Sequence, residues 1–168
     1  MTRLLSLTVL IALLAPAGAS AATFTYDVPH LVGRPLVAVK KVAEIDVLLP
    51  SRISVDLRRL YSQGEGRAGS YRFDIGATRR CGTATACHIA GFRARRGGTP
   101  TNTRKVTLRG GRRGWFRPVR CGASCGPASL QWRQRGVLYT IDGKLGTRRT
   151  DRRVLVRLAN SAIRNGPR

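Results

Sequence analysis

The chain has 168 residues, with 31 lysines and arginines against 8 aspartates and glutamates, a formal net charge of +23 and a sequence pI near 11.8. Lysine occurs only at 40, 41, 105 and 144, so 27 of the bases are arginine. Such a balance excludes an acidic surface and gives any polyanion, whether nucleic acid, anionic headgroups or cell-wall phosphate, a salt-dependent attraction.

Residues 1–21 read as a secretory signal peptide. Thr2 and Arg3 make a short basic start, and Leu4 to Leu14 is an apolar run of eleven. Pro16 and Gly18 then break it, and Ala19-Ser20-Ala21 supplies the small-residue site that a signal peptidase reads. The cut is expected after Ala21, with Ala22 as the alternative. A run of eleven residues is too short for a bilayer anchor, which needs about 20. With no cysteine before Cys81, the leader cannot end in a lipidated cysteine. The expectation is a protein released outside the cytoplasm, secreted or periplasmic, and not membrane-spanning after cleavage. The remaining 147 residues are enough for one domain with a single modest core, and they carry 30 bases against 8 acids.

After the leader, residues 22–46 are expected to form an N-terminal arm and connecting segment, and 47–168 a disulfide-containing α+β domain. Pro29, Gly33 and Pro35 leave 22–35 without periodicity, which predicts an irregular arm. Leu36 to Ile53 is apolar and rich in β-branched residues up to Pro50, which predicts an extended segment with at most a helical turn or two within 40–46. The run from Ser62 to Ser70 holds Gly64, Gly66 and Gly69 and reads as a flexible loop. From Tyr71 the pattern has period two. Tyr71, Phe73 and Ile75 define one half-buried strand, and Ala90, Phe92 and Ala94 a second over 88–95. Strands at 105–108 and 115–119 flank a glycine-rich turn, the latter ending near Pro118. Leu130 to Trp132 and Val137 to Ile141 flank a turn at Arg135-Gly136. Thr150 or Asp151 then caps a helix whose Val154, Leu155, Leu158, Ala159 and Ala162 form one apolar stripe, stopped by Asn165-Gly166-Pro167. The predicted fold class is α+β, a curved antiparallel sheet with a C-terminal helix packed on one face.

All four cysteines lie in two short loops, Cys81 to Cys87 and Cys121 to Cys125. An even count in a small exported chain predicts two disulfides. Of the possible pairings, Cys81 with Cys87 and Cys121 with Cys125 are favoured, because each pair brackets glycine and small residues that can turn tightly enough to be bridged. The competing reading is a zinc site, from all four cysteines or from Cys121 and Cys125 with His88. The wide spacing of the first pair speaks against it, and the spacing of Cys121 and Cys125 misses that of thioredoxin-type redox motifs. No metal and no cofactor are expected.

Leu130-Gln131-Trp132, Gly136, Leu138-Tyr139-Thr140-Ile141 and Leu158-Ala159-Asn160-Ser161-Ala162 make a tryptophan-bearing strand, a glycine turn, a tyrosine-bearing strand and a terminal helix. This series resembles the closing module of bacterial envelope half-barrel domains of the lipoprotein-carrier and anti-sigma-sensor type. Val47-Leu48-Leu49-Pro50-Ser51 resembles the proline-marked opening segment of such domains. Over residues 47 to 165 the chain looks most like secreted bacterial proteins with paired Cys-Gly loops. The resemblance implies a curved antiparallel sheet with helices on its concave side and an envelope location, and it brings no activity with it. The two cysteine loops and the arginine load depart from the lipid carriers.

The chemistry-bearing residues are few. Gly122-Ala123-Ser124-Cys125-Gly126 matches the Gly-x-Ser-x-Gly of hydrolases, but Pro127 follows at once, a bridge would enclose the serine and no histidine follows His88. A secreted nuclease would have to pair His30 or His88 with Glu44 or Glu65 and set arginines on phosphate, and nothing in the sequence fixes that geometry. His88 reads as an ordinary strand-start residue. The candidate anion-binding set is Arg79, Arg80, Arg93, Arg95, Arg96, Arg109, Arg112 and Arg113. Converging on one sheet edge they would make a phosphate or carboxylate platform, and scattered they are solvated surface. Trp115, Phe116 and Trp132 are candidates for stacking on bases, although alternating strand positions favour the core. The sequence thus predicts no catalytic residue. It predicts an exported, non-enzymatic envelope or extracellular protein that binds anionic envelope polymers or lipid headgroups, with no specific nucleic acid partner. The competing classes are a secreted cationic nuclease and a lipid-carrier-like protein with an apolar cavity.

Overall fold

The computed structural model describes residues 22–81 and 84–168, so the leader read from 1–21 lies outside the described residues. The stretch read as an irregular arm is ordered into β1 (Phe24–Asp27), α1 (Val28–Leu31) and α2 (Gly33–Val42). The prolines that argue against a helix sit where a helix tolerates them. Pro29 is near the start of α1 and Pro35 in the first turn of α2, where a backbone N–H has no partner inside the helix. The Asp27 carboxylate caps α1 by accepting the His30 N–H at 2.8 Å. The extended reading therefore fails for 36–42, which is helical because Val39 packs into the core while Val37 and Val42 face outward. Tertiary packing overrides the β-branched preference there. After Ala43, which is still in the right-handed helical region, and Glu44 at φ 53°, residues 45–51 form a strap with one isolated β-bridge from Leu48 to Pro167 and lead into β2 (Arg52–Val55), which pairs antiparallel with β1.

The glycine-rich stretch is a hairpin and not a loop. Strands β3 (Tyr61–Arg67) and β4 (Ser70–Gly76) pair directly. The glycines serve close approach by α2. A side chain at Gly64 would strike the Phe73 ring and Pro35 within 2.8 Å, and one at Gly66 would meet Val42 and Val39 within 3.3 Å. Then follow β5 (His88–Arg96), β6 (Arg104–Thr107), a single helical turn at Arg109–Gly111 and β7 (Arg113–Arg117), which ends just before Pro118. A short ribbon of β8 (Arg120–Cys121) and β9 (Cys125–Gly126) leads to β10 (Ala128–Gln134) and β11 (Val137–Gly143). The turn between these last two holds Arg135 at φ 49° and Gly136 at φ 73°, the left-handed pair that suits a two-residue hairpin loop.

The main sheet has seven strands in the order β3-β4-β5-β11-β10-β7-β6, every neighbour antiparallel. Helix α3 (Asp151–Asn165) starts and stops where the sequence predicts, although the Thr150 side chain accepts the Thr147 N–H and does not cap the helix, and it buries Leu155, Leu158, Ala159 and Ala162 against β10 and β11. The α+β architecture, an antiparallel sheet with the C-terminal helix packed on one face, is therefore observed.

The inner face of the sheet presents Tyr71, Phe73, Ile75, Phe92, Leu130, Trp132, Tyr139 and Ile141 to α2, the strap and α3. Val28, Val32, Val39 and Ala43 belong to the same core cluster, so residues 22–46 pack as part of the domain core. The strap is held by hydroxyls. The Tyr71 hydroxyl accepts the Leu48 N–H at 3.1 Å and donates to the Leu48 carbonyl at 3.0 Å, while the Tyr139 hydroxyl donates to the Asp46 carbonyl at 3.0 Å. Burial holds the Tyr71 phenol far above its ordinary range. Burial, reinforced by the Asp46 carboxylate and opposed by Arg135, pushes Tyr139 up to about 12. Beyond the strap, Ser51 N–H donates to Ser161 Oγ at 3.1 Å, Asn165 Nδ2 to Ser51 Oγ at 2.8 Å, and Arg168 N–H to the Val47 carbonyl at 3.0 Å.

The outer face is crossed by the connection between β5 and β6. Asn102 Nδ2 donates to the Trp115 and Ser129 carbonyls, each at 3.1 Å, and Gln131 Oε1 accepts the Thr101 and Asn102 N–H groups at 2.8 and 3.0 Å. Phe116 and Trp132 lie in the core, with Trp132 stacked on Tyr139 at 5.3 Å between ring centroids. Trp115 departs from the core reading, since it pairs with Gln131 and Lys105 and is half-buried.

Candidate functional site

Both local disulfides form, Cys81 with Cys87 and Cys121 with Cys125. The Lys144 ammonium donates to the Thr85 and Ala86 carbonyls and so fastens the first bridged loop to the end of β11. Among the described residues no group of three or more His, Cys, Asp or Glu side chains is placed to hold a metal ion. Ser124 sits inside the second bridge on the exposed β8–β9 ribbon, and every strand pair is antiparallel, so the parallel strand that a nucleophile elbow requires is missing among the described residues.

The eight arginines of the sequence-derived set fall in separate places. Arg79 and Arg80 follow β4, with the Arg79 guanidinium 5.6 Å from the centre of the Tyr61 ring. Arg95 and Arg96 lie at the opposite end of the sheet, where they pair with Ser70 and with Leu138 and Val137, and Arg96 donates to the Glu44 carbonyl at 2.6 Å. Arg109, Arg112 and Arg113 form the turn between β6 and β7, with the Arg109 N–H tied to Asn160 Oδ1 at 2.7 Å. Arg93 alone joins a partly buried charge cluster.

That cluster gives His88 a role beyond starting a strand. His88 Nε2 and Asp142 Oδ1 hydrogen-bond at 2.7 Å, both residues being under 9 % exposed. Arg93 reaches the second Asp142 oxygen at 3.0 Å and Asp74 at 3.8 Å, and Arg72 pairs with Asp74. Gly91 makes room for this cluster, because a side chain there would come within 3.1 Å of both Asp142 oxygens and of Arg93. The pairing of a histidine with Glu44 or Glu65 is not formed, and His30 lies exposed in α1.

A wide concavity lies elsewhere. Between the β1–β2 pair and α3 opens a groove of about 780 Å³ lined by Arg52, Arg157, Arg164 and Arg168. Hydroxyls of Thr25, Ser51, Ser54 and Ser161 and the amide of Asn165 share the lining with the guanidinium groups, and Asp27 is the one acidic side chain among the lining residues. The helical repeat sets Arg157, Ser161 and Arg164 along one stripe of α3, and the Ser51–Ser161 bond holds the opposite wall against it. The Nε of Arg168 is buried and finds no hydrogen-bond partner among the described residues.

No protein-family model, curated protein or solved structure matches the chain.

The chemistry of the groove follows from its donors. Guanidinium groups present a planar fork that matches phosphate and carboxylate oxygens, while hydroxyls and an amide add neutral hydrogen bonds at fixed places. None of these four arginines belongs to the sequence-derived set. They escape a reading along the chain because Arg52 is an isolated base on a short strand, and Arg157 and Arg164 look like the solvated side of an amphipathic helix. The legible signal is a second, polar stripe on α3 beside the apolar one.

Proposed function

We propose that the protein is an exported, non-enzymatic binding protein of the envelope or extracellular space that holds anionic polymers in the groove between β2 and α3. The observation that carries this reading is four arginines against one acidic side chain around a single concavity of about 780 Å³. Export is supported by the leader-like pattern of 1–21 and by two disulfides, which persist in oxidising compartments. Among the described residues no helix is long and apolar enough to cross a membrane.

The test is to incubate the secreted protein with RNA, DNA and anionic lipid vesicles at low and high salt. Salt-sensitive retention without turnover is expected, and it should be lost in R157A/R164A but kept in R109A/R112A, which removes the same charge outside the groove. Equal loss in the two variants would assign binding to overall charge and overturn the groove. Nucleic acid cleavage abolished by H88A would make the protein a nuclease, and salt-insensitive lipid uptake would make it a carrier.

A further inference from the structure

We infer that the ligand of the groove is a linear polyol phosphodiester chain, an inference that rests on the anion-binding reading and gives it a chemical class. Size comes first. A water molecule takes about 30 Å³ of liquid, so a groove of about 780 Å³ would be left mostly unfilled by one phosphate ion. It lies in the range of about 300–1,000 Å³ of sites that enclose a sizeable ligand.

The charges are also spread out. Arg157 and Arg164 are separated by about 10 Å along the axis of α3, Arg168 lies beyond the end of that helix, and Arg52 stands on the opposite wall. Ser161 lies between Arg157 and Arg164 on α3, and Ser54 and Asn165 also line the groove, neutral groups that both donate and accept. A ligand that matches this spacing alternates phosphates with hydroxyl-bearing carbons.

The same lining separates this ligand from a nucleic acid. Among the described residues no aromatic side chain lines the groove, so bases would forgo the stacking that is worth about 1–3 kcal/mol each on aromatic platforms. The large aromatics Phe73, Phe92, Phe116, Trp132 and Tyr139 are all in the core. The apolar part of the lining is aliphatic, Ile53, Leu145, Val154 and Leu158, which suits the carbon backbone of a polyol.

The test measures binding of the secreted protein to soluble poly(glycerol phosphate), to single-stranded DNA of matched charge, to glycerol phosphate monomer and to phosphatidylglycerol vesicles, at physiological salt. Poly(glycerol phosphate) is expected to bind at least tenfold more tightly than the DNA and more tightly per phosphate than the monomer. R157Q/R164Q and, independently, R52Q should each weaken it at least fivefold. All three side chains are exposed, so the fold is kept, which circular dichroism verifies. DNA binding as tight as the polymer, monomer binding equal per phosphate, or binding to vesicles alone would each overturn the polyol-chain assignment while leaving anion binding in the groove intact. Absence of binding to every anion would overturn the underlying reading instead.

Discussion

Removing one oxygen from the core, in Tyr71→Phe, tests how the strap is fastened across the sheet. The hydroxyl is the hydrogen-bond partner of both the Leu48 N–H, at 3.1 Å, and the Leu48 carbonyl, at 3.0 Å. Leu48 is 2 % exposed, so water cannot replace what is lost. Each buried polar group left without a partner costs about 1–3 kcal/mol, which places Y71F at roughly 2–5 kcal/mol. A natural control is Tyr26→Phe, whose hydroxyl makes a single part-buried bond to the Leu57 carbonyl at 2.7 Å and should cost about 1 kcal/mol. Urea unfolding read by tryptophan fluorescence measures both, and the midpoint should fall with the slope unchanged. Heating should show a lowering of roughly 2–4 °C per kcal/mol for a chain of this size. A Y71F cost below 1 kcal/mol, or one no greater than that of Y26F, would refute the claim that this hydroxyl anchors the strap.

Other predictions follow from the cluster, the bridges and the phenols. Asp142→Ala should cost about 2 kcal/mol in urea unfolding, short of the 3–5 kcal/mol of a fully buried pair broken on one side, because the Arg93 side chain is 41 % exposed and can be hydrated. A loss below 0.5 kcal/mol would show that the cluster contributes little. Opening the second bridge in C121S/C125S should lower stability by roughly 2 kcal/mol or less, as its loop is short, and a larger fall in melting temperature would mean that the bridge props up the core. At alkaline pH the sign is set by Tyr71 and Tyr139, both held above the ordinary phenol value of 10.0. The folded state keeps protons that the unfolded chain releases, so stability is full below pH 10 and falls as pH rises toward about 12. Tyr139→Phe should flatten that fall in unfolding titrations across this window, and an unchanged slope would contradict the assignment.

What the sequence made legible and what it hid divide along one physical line. Tyr71, Phe73 and Ile75, the β10–β11 hairpin and the α3 stripe declare themselves because burial on one side of an element repeats with the period of that element. The bridges were legible for the same local reason, since small residues between near cysteines fix the pairing. Gly64, Gly66, Pro29 and Pro35 misled because their local meaning is loop, whereas here they let α2 lie directly on β3 and start two helices. The groove was illegible because its walls are joined only through contacts such as Ser51 to Ser161, 110 residues apart. With 27 arginines in the chain, residue type gave no hint of which ones share a wall.

The strand order divides the sheet into two halves, each assembled from near neighbours in sequence, β3 to β5 on one side and β6, β7, β10 and β11 on the other. They touch along a single seam, β5 against β11, where Phe92 faces Ile141 and Gly91 faces Asp142. Closing that seam joins the two paired strands farthest apart in sequence within the sheet. A slip of one residue would turn Asp142 into the core and Ile141 out among the arginines. His88, Arg93 and the space above Gly91 accept a carboxylate in one alignment only, so the charge cluster works as a key that lets the two halves lock in a single register.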